Sequence, residues 1–240
     1  MILLRSLLFN AAFYVVTAIM LVATLPFFFF TPQWVGMSVV RNWAKTIVFL
    51  HRTLAGAGLE VRGAEYIPAG PAIVASKHQS AFETFALVPL LANPTIVMKR
   101  SMRRVPVFGQ YTIKTGMIHL DREGKSAALR ALAERSREEI AKGRQIIIFP
   151  EGSRRPPGAP PDYQTGIALL YRTLNVPVVP VAVNSGLFWP RKSLLHYPGT
   201  IIVEFLPPIP PGLDSRAFLA RLQETIETAS NRLIAEGTAA

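Results

Sequence analysis

His78 and Glu83 stand five residues apart in the segment Ser76-Lys-His-Gln-Ser-Ala-Phe-Glu83, directly after a short run of small and branched apolar residues. An imidazole that titrates near neutrality can take a proton from an attacking alcohol. A carboxylate about one helical turn away could hold its tautomer and stabilise the imidazolium. Glu83 also completes Ser80-Ala-Phe-Glu83, the pattern of a capping box in which the carboxylate bonds backbone N–H groups at a helix start. The residues by themselves leave both readings open. Three further segments are punctuated in the same way: Gly116-Met-Ile-His-Leu-Asp-Arg122, Phe149-Pro-Glu-Gly-Ser-Arg-Arg155 and Val176-Pro-Val-Val-Pro-Val-Ala-Val183. The chain has no cysteine and no serine in a Gly-x-Ser-x-Gly elbow, so direct attack by a hydroxyl is simpler than a covalent enzyme intermediate. No His/Asp/Glu cluster has metal-ligand spacing, and no metal is expected.

These segments need a scaffold that brings them to one place. Short Ile- and Val-rich runs at residues 59–62, 72–76, 95–99, 117–120, 145–149, 178–183 and 201–205 read as buried strands. They alternate with helix-like stretches at 80–91, 123–142, 165–174 and 215–234. That alternation predicts an α/β fold, a largely parallel central sheet flanked by helices. In such sheets ligands gather at the carboxyl ends of strands, where the punctuated segments lie.

The first 54 residues differ from the rest. No charged residue occurs between Arg5 and Arg41, and the run from Ser6 to Leu25 is helix-compatible and long enough for a bilayer core. Pro26, the run Phe27–Phe30 and Pro32 interrupt it, and a second apolar stretch spans 33–50. Residues 1–54 are therefore read as a membrane-inserted helical element and 55–240 as the α/β domain. Basic residues after the anchor favour placing that domain on the cytoplasmic side. Overall, 26 Lys and Arg face 15 Asp and Glu in 240 residues of which half are apolar. The excess calls for an anionic partner, and the hydrophobicity points to lipid. A nucleic-acid module is not recognisable, so no nucleic-acid partner is expected.

Taken in order, the four segments resemble the sequence blocks of the glycerolipid acyltransferase family, which includes the lysophosphatidic acid acyltransferases; the resemblance covers roughly residues 55–205. It implies transfer of a fatty acyl group from acyl carrier protein or acyl-CoA to the sn-2 hydroxyl of 1-acylglycerol 3-phosphate, giving phosphatidic acid. His78 would be the general base and Glu83 its orienter. Arg154, Lys99 and Arg122 would bind the phosphate, since guanidinium forks and ammonium groups suit its oxygens. Glu151 and Gly152 would support the turn before Arg154, Gly152 by permitting it and Glu151 by bonding either backbone or an acceptor hydroxyl. Arg103, Arg104 and Arg155 read instead as a solvated face or a patch against lipid headgroups. The strand 178–183 is expected to pack near the acyl chain. No cofactor is implied beyond the acyl donor as co-substrate. The implied partners are membrane phospholipid, the lysophospholipid acceptor and the carrier, and the site would lie at a membrane's cytoplasmic face (the inner membrane in a bacterium). Three departures stand out: Glu83 where the family usually has Asp, His119 where it usually has an apolar residue, and Gln164 where many relatives have Lys. Alternatives are acylation of another lyso-lipid, such as a lyso-ornithine lipid, and a non-catalytic lipid-binding relative.

Overall fold

The computed structural model describes residues 1–28, 30–121 and 125–239. Its seven strands are β1 (Ala57–Arg62), β2 (Ala72–Ser76), β3 (Pro94–Lys99), β4 (Ile118–Leu120), β5 (Gln145–Ile148), β6 (Val178–Val183) and β7 (Gly199–Phe205). They form one sheet in the order β1-β7-β6-β2-β5-β3-β4. The block from β6 to β4 is parallel throughout. β7 pairs antiparallel with β6, and β1 runs parallel to β7. The exception has a simple cause. The β6–β7 connection holds only a short helical turn at Ser185–Leu187, and an antiparallel neighbour needs no crossover helix.

Side-chain alternation along the central strands creates two cores, one on each face. Val74 and Ile147 enter a core with Phe82, Phe85 and Leu87. Their neighbours Ile73, Ala75, Ile146 and Ile148 enter the other, with Leu132, Leu170 and Phe218. Burial on both faces explains why β2 and β6 read as continuous apolar runs. The helices are α1 (Ile2–Phe28), α2 (Gln33–Leu50), α3 (Phe82–Leu90), α4 (Phe108–Lys114), α5 (Lys125–Ala141), α6 (Gly166–Leu174) and α7 (Ser215–Ala239). The first three contribute to the Val74 core, and α5, α6 and α7 to the Ile73 core.

Three sequence expectations need correction. Helix α1 runs through Pro26 to Phe28: the proline gives up its own N–H bond to the preceding turn, and the helix ends within the same turn. Helix α4 has no counterpart among the expected helices, since seven residues after Pro106 carry no sustained periodicity. Helix α7 continues to Ala239, past the expected end at Ile234.

Helix α1 is long and apolar enough to cross a membrane, yet it lies along the α/β domain. Near its start Arg5 Nε donates to the Leu54 carbonyl at 2.9 Å and Asn10 Nδ2 to the Leu194 carbonyl at 2.8 Å. Further on, Trp43 Nε1 donates to Thr17 Oγ1 at 3.1 Å, and Thr24 Oγ1 bonds the Tyr111 hydroxyl. Phe9 is wholly buried. The outer face, in contrast, carries exposed Leu4, Leu8, Val15, Ile19 and Val22 at helical spacing.

Candidate active site

Strand order decides which loops meet. β2 lies between β5 and β6, all three parallel, so the segments leaving their carboxyl ends emerge side by side. The His78 loop is therefore flanked by the Phe149–Arg155 loop on one side and the Ser185 turn on the other. Backbone bonds fasten it to both neighbours. Lys77 N–H donates to the Val181 carbonyl at 2.9 Å, and Arg155 N–H donates to the His78 carbonyl at 2.8 Å.

His78 Nδ1 lies 2.9 Å from Glu83 Oε1. An ionised carboxylate can only accept, so Nδ1 is the donor, and in the neutral imidazole Nε2 is then the lone-pair nitrogen. The imidazole ring also stacks on Phe149, with centroids 3.9 Å apart. Glu83 is wholly buried and saturated with donors. Besides the imidazole, its Oε1 accepts from the backbone N–H of Gln79 at 2.7 Å and of Ser80 at 2.8 Å, and its Oε2 accepts from the Ser185 hydroxyl at 2.7 Å. The orienter and capping readings are thus one arrangement: a single carboxylate closes the start of α3 and holds the imidazole.

Glu151 does not face the dyad. Its side chain is buried and takes a 2.9 Å bond from Lys77 Nζ. Burial pushes its carboxyl up from the usual range, opposed by the Lys77 ammonium and the neighbouring His78 backbone N–H. Gly152 has φ 65°, and its N–H closes a turn onto the Phe149 carbonyl at 2.9 Å. A side chain would be strained there, which accounts for glycine at the step that delivers Arg154.

His78 and Arg154 stand together on the wall of a 210 Å³ cavity that is otherwise almost entirely apolar. Met20 of α1, Val40 and Trp43 of α2, Phe85 and Val88 of α3, Ile96 and Met98 of β3, and Phe108 and Tyr111 of α4 line it. Among the described residues the Arg154 guanidinium has no ion pair, whereas Arg155 pairs with Asp162 and Arg100 with Asp121. Lys99 also sits at the carboxyl edge, but it is exposed and outside the cavity wall. Its strand lies two places from β2, roughly 10 Å across the sheet. Arg122 falls outside the described residues. Strand 178–183 lies mid-sheet; none of its residues is on the cavity wall, and Val179, Val181 and Val183 share a core with Phe85 and Val88, which are.

The remaining histidines have structural partners. His119 Nε2 bonds Thr112 Oγ1 at 2.9 Å, and Thr112 itself lines the cavity. His51 Nε2 meets His196 Nδ1 at 3.1 Å, and Ser6 Oγ bonds the His196 backbone N–H at 2.9 Å, tying α1 to the domain. Two participants at the site carried no sequence signal. Ser185 is a lone serine 102 residues from its carboxylate partner, and Lys77 finds its second carboxylate, Glu227, 150 residues away.

An acyltransferase family model matches residues 58–184. The 1-acyl-sn-glycerol-3-phosphate acyltransferase of Pseudomonas aeruginosa is 36% identical over 198 residues, covering 82% of this chain and 77% of that one. The enzyme of the same name from Cocos nucifera is 28% identical over 65% of this chain, which spans only 51% of the coconut protein. The human alpha form is 27% identical over 73% of this chain and 63% of its own length. Among solved structures, the 1-acyl-sn-glycerophosphate (LPA) acyltransferase of Thermotoga maritima superposes with a TM-score of 0.80 at 22% identity, covering 97% of this chain and 98% of that one.

Proposed function

The chain belongs to the acyltransferase family, and from that premise we propose that it transfers a fatty acyl group from an acyl thioester to the sn-2 hydroxyl of 1-acylglycerol 3-phosphate. The observation that carries this reading is the pairing, on one cavity wall, of a carboxylate-held imidazole with a guanidinium that has no ion pair among the described residues. Arg154 takes the acceptor's phosphate, its planar fork matching the phosphate oxygens. That anchor brings the free hydroxyl to His78. Nε2 takes the hydroxyl proton as the oxygen attacks the thioester carbonyl, and Glu83 stabilises the imidazolium that forms. The tetrahedral intermediate collapses with rupture of the carbon–sulfur bond. The departing sulfur recovers the proton from His78, leaving phosphatidic acid and the free thiol of acyl carrier protein or coenzyme A. The apolar cavity suits an acyl chain, and α1 and α2 supply part of its wall through Met20, Leu21, Val40, Trp43 and Ala44.

The exposed apolar stripe of α1 supports membrane attachment. Because both halves of the helix are bonded to the same domain, insertion along one leaflet fits better than a span leading away from it. The basic residues that follow favour the cytoplasmic leaflet. The purified full-length protein in detergent, given oleoyl-CoA or oleoyl-carrier protein, is expected to convert lysophosphatidic acid to phosphatidic acid and to leave lysophosphatidylcholine and lyso-ornithine lipid unused. Preference for an acceptor without a terminal phosphate would refute the reading.

A further inference from the structure

Lys77 immediately precedes His78 and, by strand parity with Ile73 and Ala75, projects to the opposite face of the sheet, towards α7. Its side chain is 3% exposed, and all three ammonium N–H groups are committed to carboxylates. They reach Glu151 Oε1 at 2.9 Å, Glu227 Oε1 at 2.8 Å and Glu227 Oε2 at 2.9 Å. The Tyr163 hydroxyl donates to Glu227 Oε1 at 3.0 Å. An ion cluster out of water is costly, and apolar packing of the same shape often serves stability as well. What the cluster does supply is registration of three separate elements: the end of β2, the loop after β5, and α7. That loop returns to the base through Arg155, whose N–H holds the His78 carbonyl. His78 is thereby fastened to the Glu151–Arg155 loop from both sides of its own peptide unit.

We propose that Lys77 and Glu227 are positioning residues, which set the His78 loop against the Glu151–Arg155 loop so that imidazole and Arg154 meet one acceptor molecule. Glu227 lies on α7, beyond residues 58–184 matched by the family model, so on this proposal the C-terminal helix contributes to the alignment of the site. The proposal rests on the reading of His78 as the base.

The test compares full-length Glu227→Gln and Lys77→Met with His78→Ala in detergent, using oleoyl-CoA and lysophosphatidic acid. Each rate is taken per folded molecule, well below that variant's own unfolding midpoint. Glu227→Gln is expected to lower kcat roughly tenfold, because small misplacements of reacting groups are costly, with donor KM changed less than about twofold. Lys77→Met is expected to lose more. Should it not fold, the partly accessible Glu227 decides alone. Wild-type kcat in Glu227→Gln, or a loss confined to its unfolding midpoint, would overturn the positioning role. If His78→Ala were inactive in that case, the dyad would stand and only this proposal would fall. An active His78→Ala would remove the dyad and the proposal together.

Discussion

The Ser185 hydroxyl donates a 2.7 Å hydrogen bond to Glu83 Oε2, with both side chains wholly buried. This bond fixes the rotation of the carboxylate whose other oxygen holds His78, and it comes from the turn after β6, the strand on the far side of β2 from the Arg154 loop. Ser185→Ala leaves a buried carboxylate oxygen without its donor, at a cost of about 1–3 kcal/mol. The unfolding midpoint should fall, and turnover with it. In a Glu83→Gln background the same substitution should cost much less turnover, since the oriented charge is already gone. Strictly additive losses would separate Ser185 from the dyad.

Arg154→Ala should lower kcat/KM for lysophosphatidic acid by about 2–3 kcal/mol, the range expected when a charge-assisted hydrogen bond to the acceptor is removed. Donor KM should barely move. Arg104→Ala, exposed and away from the cavity wall, should have little effect on either substrate. Equal and mild effects in steady-state kinetics would return Arg154 to a structural role.

The buried His51–His196 pair, packed against Phe9 of α1, makes stability sensitive to acid. Burial, with an added contribution from His196, lowers His51 to about 4, and burial lowers His196 to about 4. Between pH 6.5 and about 4 the unfolded chain binds protons that the folded pair refuses, so stability should decline as pH falls through that window. The decline should be on the order of 1 kcal/mol per pH unit for each histidine. Carboxylates titrate in the lower part of the same range, so the informative quantity is the wild-type slope minus that of a His51→Gln/His196→Gln variant. Chemical denaturation in detergent should give a steeper wild-type slope. Identical slopes would contradict the assignment.

Replacing Val15, Ile19 and Val22 together by Gln removes apolar side chains that are 56–66% exposed, without touching the wholly buried Phe9. Flotation with anionic vesicles should show much of the variant released, whereas about 1 M salt should strip little of the wild type. Complete release of the wild type by salt would make the attachment electrostatic.

The parts of the fold that were legible in the sequence are those governed by local chemistry. The strands β2 and β6 stand at their expected limits because fully buried strands are unbroken apolar runs with clear stops. Helix α4 was missed because its seven residues follow Pro106 and a positive-φ Val107, where only tertiary packing holds a helix. His78, Glu83 and Arg154 were visible as a pattern of types and spacings. Ser185, Lys77 and Glu227 were not, because their significance lies in which strands become neighbours. The pairing of His51 with His196 is likewise a product of topology, joining residues 145 apart.

Glu83→Gln, measured beside His78→Ala and Glu83→Asp, tests the central claim most directly. Gln can still accept the backbone N–H groups at the start of α3, so folding should survive. It cannot stabilise an imidazolium as a carboxylate does, so kcat should fall by roughly 10² or more, as it should in His78→Ala. Glu83→Asp keeps the charge and should retain substantial activity. Near-wild-type turnover in Glu83→Gln would leave only the capping role for that carboxylate, and full activity in His78→Ala would contradict the mechanism outright.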